Sequence, residues 1–253
     1  MNKEKFHIPM PDDEIIQKEI NTIVRAGVKR NESFPSFLLN LYKEIGFRYL
    51  FINPRDGILI TLSALAVLVF LFLTITEPSN VNEKDVYGFV FLISPLLFMA
   101  LSLYDLFYKK HSATFEVEMV AKYNLYQVAA FRMFNFSVIS IIVNTVSIVS
   151  LVSMFDTLQF FRAFMISTTA LFLFSVIFLT VFMKGRSGFA ALKVGGGWIG
   201  FNILISLLNN KAYIHFLMTI PIIVYGIVLA SSLILYLLYL SKLVRMKPAE
   251  GVF

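Results

Sequence analysis

The sequence predicts an all-α, polytopic integral membrane protein with six transmembrane helices, preceded by N-terminal cytoplasmic or interfacial helices. Three observations carry this reading. The 253 residues are 58% hydrophobic and only 15% charged, against roughly 25% charged in a soluble domain. The charges are clustered, so the apolar residues form separate blocks, and several blocks reach the roughly 20 residues that cross a bilayer as a helix. Twenty-seven Phe and eleven Tyr with a single Trp suit lipid-facing and interfacial surfaces.

Residues 1–54 contain neither a spanning block nor a signal peptide, because charge stands where an apolar h-region would be. Asp12 and Asp13 place acid at a helix start. Ile15, Ile16, Ile20, Ile23, Val24 and Val28 then recur at helical spacing and give one apolar stripe on a charged helix. Ser33 and Pro35 open a second helix, with Phe37, Leu38, Leu41, Tyr42, Ile45 and Tyr49 on one side. Its aromatic content suits a helix lying in the membrane interface; the alternative is a small soluble helical hairpin. Asn53-Pro54 ends it, since the residue before proline is pushed out of the α region.

Spans are expected at 57–76, 87–108, 134–155, 163–183, 194–208 and 216–240. Pro95 would kink the second. Asn135 and Asn144 in the third are expected to bond between helices. The fifth is short, with Gly196 and Gly200 as a small-xxx-small pair that would allow close approach in a dimer or within the chain. Asn209-Asn210-Lys211 and His215 read as a short loop before the sixth. The expected organisation is thus an N-terminal region 1–54, a membrane domain 55–241 and a cytoplasmic tail 242–253.

With the N-terminus inside, nineteen of the 22 Lys and Arg fall on the cytoplasmic side. Only Lys84, Arg162 and Lys211 fall outside, a strong positive-inside bias. Both termini are therefore expected in the cytoplasm of a cell with this chain in its plasma (inner) membrane. Topology also accounts for the net charge of +6, so no nucleic-acid partner is implied.

Chemistry within the chain is narrowly bounded. Without Cys there are no disulfides, thiolate metal sites or thiol nucleophiles. No P-loop motif occurs, H-E-x-x-H is absent, and His7, His111 and His215 are far apart in sequence. Gly185-Arg186-Ser187-Gly188 is not the G-x-S-x-G elbow. No central third of a span carries an ionisable group, which disfavours a proton- or sodium-coupled carrier. The chain is not expected to be an enzyme, and no cofactor or metal site is expected in it.

The most distinctive stretch is 115–133, FEVEMVAKYNLYQVAAFRM, a charged island between two apolar blocks on the cytoplasmic side. Glu118 and Lys122 stand four apart in the favoured order for a helical ion pair, and Tyr123-Asn124 breaks the stretch into two short helices. It is either a solvated connector or a coupling helix that docks on a separate ATPase subunit.

The order acid, apolar spacer, break, small amphipathic turn and base resembles permeases of the type-2 ABC exporter superfamily, whose chains often have E-x-x-x-G-T-L-x-x-L-L-x-x-P-x-S followed by G-K at the next span. Glu118 matches the acidic position, Tyr123-Asn124 the break and Arg132 the base, while the Gly-Thr pair and the Pro are missing. Six spans, an interfacial helix before the first and inside termini are also similar to that family. It often carries a re-entrant hairpin between the fifth and sixth spans, where this chain has only a short link. The resemblance implies that Glu116, Glu118, Lys122, Tyr123 and Arg132 couple to an ATP-binding subunit in trans. It implies a second cytoplasmic contact at Lys184, Arg186 and Lys193, with ATP bound on the partner alone. It further implies a homodimer, or a heterodimer with another permease. The competing expectation is a membrane-embedded regulator or sensor that binds a soluble partner, such as a sigma factor, through its N-terminal helices.

Overall fold

The computed structural model describes residues 12–27, 34–45, 85–111, 125–155, 158–184 and 188–246. All regular structure among them is helical: α1 (Asp13–Gly27), α2 (Phe34–Ile45), α3 (Asp85–Ile93), α4 (Leu96–His111), α5 (Leu125–Met154), α6 (Phe160–Lys184), α7 (Gly188–Thr219) and α8 (Ile222–Val244). Two compact units result, one within Met1–Glu44 and the other within Ile45–Phe253.

In the first unit, α1 begins at Asp13 with Asp13 and Glu14 in its first turn, where acid meets the positive end of the helix dipole. The Asp12 carbonyl accepts the Ile16 N–H at 3.1 Å. Pro35 sits in the first turn of α2, where its missing N–H costs no helical bond. Residues 46–84, with the first expected span, lie outside the described residues.

Among the described residues of the second unit, four helices are long and apolar enough to cross a membrane: Val86–Tyr104, Tyr126–Ser153, Phe160–Lys184 and Ile222–Val244. The first of these crosses the Ser94-Pro95 turn between α3 and α4. Every side-chain surface it uses must be matched by packing, since lipid tails supply no hydrophobic drive between helices. The hub is α6, which packs on α3, α5, α7 and α8, most extensively on α8. Its inward positions, including Ala163, Ser167, Ala170 and Ser175, are small and completely buried, so neighbouring backbones can approach. Between them project Phe174 and Phe178, which stack on one another at 6.0 Å and present edges to Phe98 of α4. Phe98 also meets Tyr236 of α8 edge to face at 6.4 Å. The Tyr236 hydroxyl donates to the Met133 carbonyl of α5 at 2.9 Å, tying three helices at one level. Towards the other end, Val86, Val90, Ile148, Ile166, Leu217 and Tyr225 form a second apolar cluster.

Several expected boundaries are corrected. The helix that carries the third expected span begins not at residue 134 but at Leu125. A 30-residue helix is about 45 Å long and overshoots a hydrocarbon core of about 30 Å, so its first turns belong to one membrane surface. Arg132 is therefore part of the spanning helix, not of a separate amphipathic one. The fifth helix starts at Gly188, six residues early, and runs through the expected loop at 209–215 to Thr219. The sixth starts at Ile222 after Pro221, not at 216, and continues to Val244. Lys242 lies in its last turn, where a cation suits the dipole. The fourth span, expected at 163–183, matches α6 closely.

Candidate functional site

The geometry of the bundle turns on two prolines, each of which removes a backbone donor, Pro95 inside a candidate span and Pro221 at the junction of α7 and α8. In hydrocarbon the freed carbonyls must be satisfied by protein. At the first break the Ser94 hydroxyl lies 2.6 Å from the Val90 carbonyl and 2.7 Å from the Ser167 hydroxyl. Ser94 has one hydroxyl hydrogen, which it gives to the carbonyl, so Ser167 donates across to it. Asn144 of α5 donates to the Ser94 carbonyl at 2.9 Å, and Trp198 of α7 donates its indole N–H to the Leu92 carbonyl at 3.2 Å. Asn144 is thus the interhelical partner its sequence position suggested. Asn135 is not; it bonds back to the Phe131 carbonyl of its own helix.

At the second break, Pro221 cannot supply the N–H that the Leu217 carbonyl would receive in a continuous helix. The Tyr225 hydroxyl takes that place at 2.8 Å. The guanidinium of Arg162 donates to the next carbonyl, that of Met218. A cation at this helix C-terminus also opposes the negative end of its dipole.

Between these breaks α7 bends. Asn209 has φ −159° and ψ 80°, outside the helical region, and its side-chain oxygen accepts the Ala212 N–H at 3.0 Å. That is the bonding of an N-cap residue to the third residue of a new helix. Residues 210–219 therefore form a second arm that folds back on 188–208. The fold-back brings Tyr213 to Asn202, whose side-chain oxygen accepts the tyrosine hydroxyl at 2.9 Å. Eleven residues along a straight helix would separate them by about 16 Å. Gly88 lets α3 approach this arm, since a Cβ there would stand 3.1 Å from the Tyr213 ring.

The bend opens a cleft of about 570 Å³ between α6, α7 and α8, bordered by Phe91 of α3. Its walls are apolar, with Leu173, Ile205, Phe216, Ile220 and Val228 prominent. Five polar side chains line it: Thr169, Asn202, Asn209, Tyr213 and Tyr225. Asn202 is almost wholly buried and gives its amide hydrogens to the Trp198 carbonyl at 2.8 Å. Thr169 donates weakly to the Tyr225 carbonyl at 3.5 Å. None of the sequence-derived candidates lies in this cleft, and no group of three or more metal-binding side chains exists among the described residues.

Removing the Tyr213 hydroxyl by Tyr213→Phe leaves the Asn202 oxygen buried without its donor. The cost expected is about 1 kcal/mol, near the middle of membrane hydrogen-bond measurements, read as a lowered midpoint in detergent unfolding titrations. An unchanged midpoint would mean that the two arms are held by packing alone.

The coupling candidates Glu116, Glu118, Lys122 and Tyr123 fall in 112–124, outside the described residues, as does Arg186. Arg132 is 5% exposed, in the third turn of α5. Lys184 ends α6 and Lys193 lies in the second turn of α7; both are exposed. Gly196 and Gly200 face outward, with nothing among the described residues within 4 Å of a built Cβ. The glycine used within the bundle is their neighbour Gly195, which seats the Met99 sulfur. The Asn209-Asn210 pair, read from sequence as a loop, could have signalled a new helix, since Asn is a favoured N-cap. Comparison with protein-family models, curated proteins and solved structures finds no match to this chain.

Proposed function

We propose that this chain is the membrane-spanning, permease-like subunit of an ATP-driven exporter, energised through 115–133 by a separate ATPase subunit. In this reading α7 is a fifth span and 57–76 a sixth, both termini are cytoplasmic, and the membrane is the plasma (inner) membrane. The observation that carries it is the course of α5. The charged stretch opens directly on a 30-residue helix whose first turns are pinned to the end of α8. Gln127 donates to the Val244 carbonyl at 3.4 Å, and Met133 accepts from Tyr236. A push on 115–124 would therefore move two spans together instead of bending a loose connector. The folded-back arm 210–219 adds support, because it lies between the fifth and sixth spans, where the type-2 exporters often carry a re-entrant hairpin.

ATP then belongs to the partner, and the chain itself performs no chemistry. A second permease half, the same chain or a related one, completes the assembly, with the open Gly196 and Gly200 face of α7 available for it. Extraction in mild detergent and affinity purification of the native complex is the direct test. An ATP-binding subunit is expected to co-purify, and its absence would overturn the proposal.

One observation favours a second reading, a membrane-embedded regulator. The N-terminal residues form a compact unit of their own, and α1 carries an apolar stripe. Deleting 12–31 separates the readings: release of a soluble partner with no effect on an ATPase favours regulation.

A further inference from the structure

We propose that the cleft between α6, α7 and α8 is a binding site for one acyl chain of a membrane lipid. This rests on the reading of these helices as membrane spans and names the class of molecule that such a subunit would handle.

The chemistry of the walls selects the ligand. Each of the five polar side chains lining the cleft is already engaged. Asn202 and Tyr213 bond one another at 2.9 Å, Tyr225 bonds the Leu217 carbonyl at 2.8 Å, Thr169 reaches the Tyr225 carbonyl, and Asn209 caps its own helix. A peptide or sugar placed there would bury amides or hydroxyls against groups with little bonding capacity to return, which costs about 1–3 kcal/mol for each unsatisfied group. A hydrocarbon chain brings no such groups. The volume of about 570 Å³ falls in the range of about 300–1,000 Å³ typical of ligand pockets.

The mouth selects the source. Phe201 and Phe216, which line it, are 63% and 65% exposed, both on α7, which this reading places in the bilayer. Outside the cleft there is then lipid, so a chain can slide in from the adjacent leaflet without crossing water. Transfer from one hydrocarbon medium to another gains nothing from the hydrophobic effect; selectivity must come from packing against the walls. Those walls are built by the bend at Asn209, so a chain held there would also oppose closure of the 210–219 arm onto 188–208.

Trp198 makes this measurable in the intact protein. It is the sole tryptophan, and its ring stacks at 5.3 Å on Phe91, which borders the cleft. Detergent-solubilised full-length chain is titrated with a phosphatidylcholine whose acyl chains are brominated, a short-range quencher of indole fluorescence. Quenching is expected to saturate at low mole fraction. Filling the cleft by Ala212→Phe or, separately, Val228→Phe should raise the half-quenching concentration about tenfold or more, equivalent to about 1.4 kcal/mol. Ile227→Phe, on the 64% exposed lipid face outside the cleft, should leave the curve unchanged. Quenching that rises linearly with brominated lipid, or that both filled variants leave unaltered while their unfolding midpoints match the parent's, overturns the proposal. The assay contains no ATPase, so its failure leaves the exporter reading standing, and failure of ATPase co-purification leaves the lipid site standing.

Discussion

Replacing Phe98 by alanine is expected to cost this fold more than any other single side-chain truncation in the bundle. Phe98 is completely buried at the centre of a four-ring cluster, edge to face with Phe174, Phe178 and Tyr236 at 5.9–6.4 Å. In a water-soluble core such a change costs about 3–5 kcal/mol, part of it the transfer of the ring out of water. Within a bilayer that transfer contribution falls away, because the separated helices already sit in hydrocarbon. What remains is the cavity and three aromatic contacts worth about 0.5–1.5 kcal/mol each. The expected loss is therefore about 2–4 kcal/mol, seen as a large fall in the midpoint of unfolding in mixed micelles. Leu207→Ala provides the comparison. Leu207 is 82% exposed, and its truncation should cost less than about 0.5 kcal/mol. Equal effects from the two variants would refute the packing scheme, in which α4, α6 and α8 meet through this cluster.

The second large effect concerns the charged stretch. Glu118→Lys is expected to abolish association with the ATPase subunit while the membrane domain stays folded. A solvated connector would respond quite differently. It would lose only the ion pair with Lys122, worth about 0.2–0.5 kcal/mol on an isolated helix, and partner binding would not change. The double variant Glu118→Lys with Lys122→Glu sharpens the contrast, because it restores a local ion pair with the charges exchanged. If the stretch serves only local helix stability, the double variant behaves as the parent does. If Glu118 faces a basic groove on the ATPase, association stays lost. The readout is the amount of any ATP-binding subunit retained on the purified chain. Full retention in the single variant would sink the coupling role.

Hydropathy placed α6 to within three residues, missing 160–162 at its start and meeting its close at Lys184. It failed at α5, where the same logic placed Arg132 outside the span. A long helix overshoots the hydrocarbon, so a charge marks depth and not the end of the helix. It failed again around 209–221, where Asn209, Asn210 and Lys211 lower the local hydropathy just as a loop would. Whether such a segment leaves the helix or bends within it depends on where the backbone bonds go. Here Asn209 caps, while Tyr225 and Arg162 close the carbonyls at Pro221. The cleft was beyond reach of pattern reading for a related reason. Asn202 and Tyr213 lie on one face at a spacing of eleven, but a straight helix would hold them about 16 Å apart, and they meet only because the helix folds back. Asn144 was legible as an amide in an apolar span that must find a partner, but the same reasoning missed Asn135, which bonds within its own helix, and nothing in position identified the Ser94 carbonyl.

Arg162 ties the finished structure to the way the chain is made. In the proposed orientation it is one of three cations on the translocated face, so during insertion its charge must be carried through the bilayer. Such a residue at mid-bilayer costs about 2.5–3.5 kcal/mol on insertion scales. Once across, its guanidinium holds the Met218 carbonyl at the end of α7, a contact that exists only after the next helix has been synthesised and docked. Biogenesis and final stability therefore pull this position in opposite directions: an uncharged residue would insert more readily and leave the later helix end open. The chain accepts a harder translocation for a bond that forms only afterwards.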